Sequence, residues 1–213
     1  DVVVAQIAGG HVTSTTQVNV VATSANAAKM YLLGAGFAKN VGIGAGIGYT
    51  SVNSTVVANL SDYGRNRSGV LEAADTPLVV SAPSVSVAAA VKDADTGPYS
   101  GKTIDTEAIA GGAALYFGAQ AAVAVGNVTN TVAALLGGQI TGTGGTGAAV
   151  MAQDTTTQVV FTGGVSAGAV AVGASVATAS RTSSVAARVL NGASISTSQL
   201  LVGAAGAGTL STT

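Results

Sequence analysis

His11 is the only histidine in the chain, so any Ser-His-Asp relay would have to run through it. It follows Gly9-Gly10 with no acid or nucleophile at a telling distance, and it reads as a solvated turn residue rather than a base. Acid pairs are the second route to catalysis, because sugar-cleaving sites rest on two carboxyl groups. Asp93 with Asp95 and Asp105 with Glu107 are the candidates, with Lys92 or Arg65 as nearby cations. All four acids share one charged stretch, which a solvated polar loop explains without a cleft. No acid follows Asp154, so an acidic cleft would have to come from that stretch alone.

Lys92-Asp93-Ala94-Asp95-Thr96-Gly97 resembles the opening of a calcium loop, in which alternate oxygens face a hard cation. Gly97 and Ile104 then stand where further ligands belong, so Asp93 and Asp95 are weak metal candidates and a turn is the better reading. Gly142-Thr143-Gly144-Gly145-Thr146-Gly147 matches a dinucleotide fingerprint in form, but neither the helix nor the later acid that the chemistry needs follows it. It reads as a flexible corner. Sequons at Asn53, Asn59, Asn66 and Asn127 follow from an Asn- and Thr-rich composition. The Thr runs at 13–16 and 155–157 are too short and irregular for an ice-ordering face. No cofactor is expected, and no catalytic residue is assigned.

The composition points the same way. The chain is 48% hydrophobic but only 4% aromatic and 8% charged, with 30 Gly, no Cys and a net charge of −1. An ordinary soluble domain is about 25% charged. Without a basic stripe there is no nucleic-acid partner, and without Cys there is no disulfide or thiolate metal site, which suits a secreted chain. The most apolar stretch, 117–136, is interrupted by Gln120, Asn127, Thr129 and Asn130, short of the roughly 20 apolar residues of a spanning helix. Three Phe and five Tyr are too few for the aromatic girdles of a membrane barrel. Asp1 leads straight into Val2-Val3-Val4, which reads as a mature terminus or an excised fragment cut inside a strand.

The elements behind these residues repeat. Val3-Val4-Ala5-Gln6-Ile7, Val56-Val57-Ala58-Asn59-Leu60, Val132-Ala133-Ala134-Leu135-Leu136 and Val185-Ala186-Ala187-Arg188-Val189 share a Val-x-Ala-x-aliphatic pattern. Their alanines lie 53, 76 and 53 residues apart, so residues 1–61 and 130–190 form an internal duplication with an offset of 129. Period-two alternation and β-branched residues call for strands. In residues 41–49 one face is aliphatic and the other is Gly42, Gly44, Gly46 and Gly48; turned outward, that glycine face would let another backbone or a second rod approach closely. Short strands without helical connectors predict an all-β fold, a right-handed parallel β-helix. With turns of about 20 residues it would stack about ten layers into a rod of roughly 50 Å.

Residues 62–107 interrupt the pattern, holding 11 of the 17 charges and all three prolines. They are predicted to be a loop-rich excursion with a strand over 78–91. Recognition is assigned there, to Tyr63, Arg65, Arg67 and Tyr99, because loops on a rigid scaffold carry binding.

The repeat units Asn130-Thr131-Val132-Ala133-Ala134-Leu135-Leu136-Gly137-Gly138 and Ser184-Val185-Ala186-Ala187-Arg188-Val189-Leu190-Asn191-Gly192-Ala193 resemble those of large secreted haemagglutinin-like exoproteins and adhesins. The resemblance covers most of the chain outside 62–107. It implies a right-handed parallel β-helix exported by a Gram-negative cell, extracellular or on the cell surface, a non-catalytic shaft for attachment. Its partners would be further copies of itself, end to end or side by side, and a ligand on a host or neighbouring cell. The alternatives are a complete subunit of a self-assembling filament and a carbohydrate-acting β-helix enzyme.

Overall fold

The computed structural model of the chain describes residues 1–65, 71–94 and 101–213. Among them there is no helix. Strands β1 (Val2–Ala8), β5 (Val41–Ser61), β10 (Phe117–Leu136) and β13 (Val170–Val189) form one sheet in the order β1-β5-β10-β13. A second sheet holds β2 (Gly10–Thr13), β3 (Gln17–Ala25), β8 (Leu78–Lys92), β11 (Gln139–Thr155), β14 (Ser194–Ser196) and β15 (Leu200–Ala207). A third runs β16 (Leu210–Thr212), β12 (Gln158–Ala167), β9 (Ile104–Ala113), β4 (Ala28–Phe37). Every pairing in these three sheets is parallel. The chain visits them in the same cyclic order, so each strand lies against the one a full cycle earlier.

The Val-x-Ala repeats become neighbours in the first sheet. Val3 pairs with Val56, Val56 with Val132 and Val132 with Val185, and the four alanines line up in the same way. The intervals of 53 and 76 are therefore the lengths of whole cycles, and 129 separates strands two apart. Cycles are longer than the expected 20 residues because β5, with 21 residues, and β10 and β13, with 20 each, are long strands. At about 4.8 Å per strand, four strands span nearer 15–20 Å than 50 Å.

Like residues also stack in the second sheet, where Val20, Val87, Val150 and Val202 share a row and Ala22, Ala89, Ala152 and Ala204 the next. These rows face Val56, Ala58, Leu60, Val132, Ala134 and Leu136 to make the main core. Small side chains bring little area each, so the core depends on repeating the same close fit from strand to strand.

The predicted excursion divides. β8 and β9 belong to the sheets, and the added length of the middle cycle lies at two corners, between Leu60 and Val79 and between Lys92 and Ile104. At the first corner β6 (Tyr63–Arg65) and β7 (Leu71–Ala73) form an antiparallel hairpin. The Gly142–Gly147 motif lies inside β11, where the register slips against β8; Gly144 (φ 78°) and Gly147 (φ 115°) take a conformation other residues avoid. It is a bulge in a strand rather than a flexible corner.

Candidate functional site

Each long strand of the first sheet turns one inner face to two partners. Its later half packs on the second sheet, while its earlier half lies against the third and forms a thin two-layer lamella. The glycines sit inside this lamella. A Cβ on Gly34 would stand 1.7 Å from the Ala45 carbonyl oxygen, on Gly44 1.9 Å from that of Gly111, and on Gly112 1.7 Å from that of Ala119. Ordinary sheets pack about 10 Å apart because side chains fill the gap; here backbone meets backbone. Gly42, Gly44, Gly46 and Gly48 are thus a close-packing face whose partner is the chain's own third sheet, and the outward face anticipated for them does not exist.

Their alternates point outward. Ile43 is 64% exposed and Ile47 71%, and on the opposite face Leu33 is 75% and Phe37 79% exposed. Residues 32–53, 108–129 and 161–180, which contain the lamella, carry one charge, Lys39. Its tip turns are bonded to one another, for example Leu115 N–H to the Lys39 carbonyl and Val170 N–H to that of Tyr116.

The acids are engaged elsewhere. Asp93 Oδ1 accepts from Thr103 Oγ1 (2.8 Å) and Thr157 N–H (2.7 Å), closing the second corner. Asp105, almost fully buried, pairs with Lys29 (3.2 Å) and Lys102 (3.1 Å). Glu107 lies two residues on, half-buried, in register with Tyr31 and Phe161. Asp154 is buried completely; its carboxylate accepts from Asn130 Nδ2 and Ser183 Oγ and pairs with Arg181 at 3.1 Å. That cluster joins the first and second sheets, and sequence reasoning passed over it, although Arg181 breaks an otherwise apolar row after Val52 and Val128.

Among the described residues no group of three or more His, Cys, Asp or Glu converges. His11 is exposed within β2, in a strand rather than a turn. Tyr63 is 42% exposed at the hairpin, and its carbonyl accepts from Ser61 Oγ and from the buried Asn59 amide, which removes that sequon from the surface. Arg65 pairs with Leu71 in the hairpin ladder, while Arg67, Tyr99 and Asp95 lie outside the described residues. Two surface hollows, of about 190 and 250 Å³, are lined by Pro83, Gly142 and Ser196 and by Leu135, Ala186 and Arg188 among others, with no carboxylate in either. No helix among the described residues is long and apolar enough to cross a membrane.

The Lys29 ammonium is held above its ordinary pKa of 10.5, first by hydrogen bonding to Tyr31 and then by Asp105; burial opposes the shift. It also lies 4.2 Å from the centre of the Tyr31 ring. A raised pKa means a contribution to stability that is complete below pH 10.5 and lost as pH climbs through the folded-state value. Tyr31→Phe is expected to bring the Lys29 titration, followed by NMR, back toward 10.5; an unchanged titration would show that Asp105 alone sets it.

Among the described residues β13 pairs with β10 alone, residues 41–52 of β5 pair with β10 alone, and β2, β3 and β4 each pair on one side, while the Asp1 ammonium donates to the Asn53 carbonyl. No protein family, curated protein or solved structure matches the chain.

Proposed function

We propose that the chain is a non-catalytic structural and adhesive segment of an extracellular bacterial surface fibre, a right-handed parallel β-helix of the kind the haemagglutinin-like resemblance implies. The observation that carries this reading is the cyclic path through three parallel sheets, the geometry of a stack built layer on layer. Right-handed connection is the rule for parallel strands joined across a sheet. Low charge and the absence of Cys suit export. Recognition of a surface ligand is assigned to the β6–β7 hairpin with Tyr63 and Arg65, the largest departure from the stack among the described residues.

A second reading, a subunit that polymerises end to end, would continue the same layered path from copy to copy. The carbohydrate-acting alternative has less support, since Asp93 and Asp105 already serve a corner and two lysines. Immunogold labelling of intact source cells with antibody to this chain is expected to decorate fibres outside the envelope; label confined to the interior would defeat the proposal. Electron microscopy of the purified chain separates the two readings: uniform filaments for the subunit, dispersed short particles for the segment.

A further inference from the structure

The corner that carries the chain from the first sheet to the second is built alike in three cycles. A glycine with positive φ makes each turn: Gly9 (67°), Gly138 (80°) and Gly192 (82°). The residue before it is Ala8, Gly137 or Asn191, so the turn itself does not call for an asparagine. Asn191 is also the only asparagine in the chain followed by glycine. Its turn runs from Leu190 to Ala193, whose N–H donates to the Leu190 carbonyl (3.3 Å), a form that needs glycine where Gly192 stands. Leu190 N–H donates to the Leu136 carbonyl (2.8 Å) and Ser194 N–H to that of Gly138 (2.9 Å). Both shoulders are thus pinned to the preceding cycle. Between them Asn191 and Gly192 are exposed, a Cβ on Gly192 would meet nothing within 4 Å, and no described residue bonds the Asn191 amide or the Gly192 N–H.

An asparagine side chain and the next backbone nitrogen are one bond short of a five-membered ring. In most sequences the following side chain shields that nitrogen, and regular hydrogen bonding fixes both groups. Neither operates here, since glycine has no Cβ and the turn leaves both groups unbonded. We propose that Asn191-Gly192 is a site of spontaneous covalent modification, with water as the only co-reactant. Base removes the Gly192 amide proton, and the nitrogen bonds to Asn191 Cγ. The Cγ–Nδ2 bond breaks, and Nδ2 takes up a proton and leaves as ammonia. The resulting succinimide adds water. Breaking the new N–Cγ bond gives aspartate in an unaltered backbone; breaking the original peptide C–N bond gives isoaspartate, with the chain running through Cβ and Cγ. Either product adds one negative charge to a chain whose net charge is −1. Isoaspartate also lengthens the main chain by one carbon between the pinned amides of Leu190 and Ser194, and β14 hangs on that span, paired with β11 over three residues only. The inference rests on this corner alone and does not depend on the fibre reading.

Incubating the purified whole chain in mildly alkaline buffer and mapping its tryptic peptides by mass spectrometry tests it. Cleavage after Arg188 places Asn191 in a peptide with no other asparagine, so the mass gain of amide turned to acid is unambiguous there. Conversion is expected within about tenfold of the rate in a free peptide of the same local sequence, with both aspartate and isoaspartate among the products. Gly192→Ala is expected to slow it at least about tenfold, because the new methyl group shields the nitrogen. Asn130, bonded to Asp154 from within β10, is expected to keep its amide. In the isoaspartyl chain, hydrogen exchange is expected to quicken over 194–196 and to stay unchanged over the core residues 85–91. An Asn191 amide that persists while the free peptide converts would overturn the proposal. So would aspartate without isoaspartate, conversion as fast at Asn130, or wild-type conversion in a Gly192→Ala chain that circular dichroism shows to be folded. If that variant does not fold, the product ratio and the comparison with the free peptide decide. Unaltered exchange over 194–196 would refute the effect on β14.

Discussion

Replacing Asp154 with alanine is expected to lower unfolding stability by about 3–5 kcal/mol, the range for removing one partner of a buried ion pair. The carboxylate has no solvent exposure, and it satisfies Arg181, Ser183 and Asn130 together. Without it Arg181, whose side chain is only 18% exposed, retains a charge with little water to replace the lost partner. The Asn130 amide loses its acceptor in the same step. Urea denaturation gives the measurement, with the slope compared to detect a change in the unfolded state. Asp154→Ala combined with Arg181→Ala is expected to lose less than the two single losses added, because the second change removes the stranded charge. A loss below about 1 kcal/mol in the single variant, within the range of an exposed pair, would mean that the cluster does not clamp the two sheets.

A single methyl group is expected to have a comparable effect inside the lamella. In Gly112→Ala the new Cβ would lie 1.7 Å from the Ala119 carbonyl oxygen, and no rotamer can relieve a clash between a Cβ and a backbone atom. The two sheets must separate there, which places the cost at or above the upper end of the roughly 1–3 kcal/mol usual for overpacking. Gly111, the preceding residue in β9, supplies the control. Its Cβ would point the other way and meet only the Val165 carbonyl oxygen at 3.9 Å. Gly111→Ala is expected to be neutral or to stabilise by about 0.5 kcal/mol, since alanine narrows the unfolded ensemble. Equal thermal midpoints for the two variants would refute backbone-to-backbone packing in the lamella.

Much of the fold was legible in the residues. Alternation over 41–49 fixed a strand, and the four Val-x-Ala segments marked chain positions that come to lie side by side in one sheet. Inside the charged, proline-bearing stretch 62–107, the β6–β7 pair lies outside the three parallel sheets. Within that stretch the strand expected over 78–91 is β8, whereas residues 104–107, read as part of the excursion, open strand β9 of the stack. Asp154 and Arg181 were hidden for a different reason. An isolated acid and an isolated arginine 27 residues apart look like surface charge, and nothing local brings their strands together.

The sequence by itself determined that the chain is built of strands and that their apolar rows match from one cycle to the next. Only the tertiary structure decided which side of an alternating strand faces inward. Period-two patterning divides a strand into two faces but assigns neither to the core, and the usual rule of burying the larger apolar side failed at 41–49. There the third sheet approaches until backbone touches backbone, a distance that admits glycine and expels isoleucine. The glycine face is therefore the interior of the lamella, and the aliphatic face is left to water or to a partner.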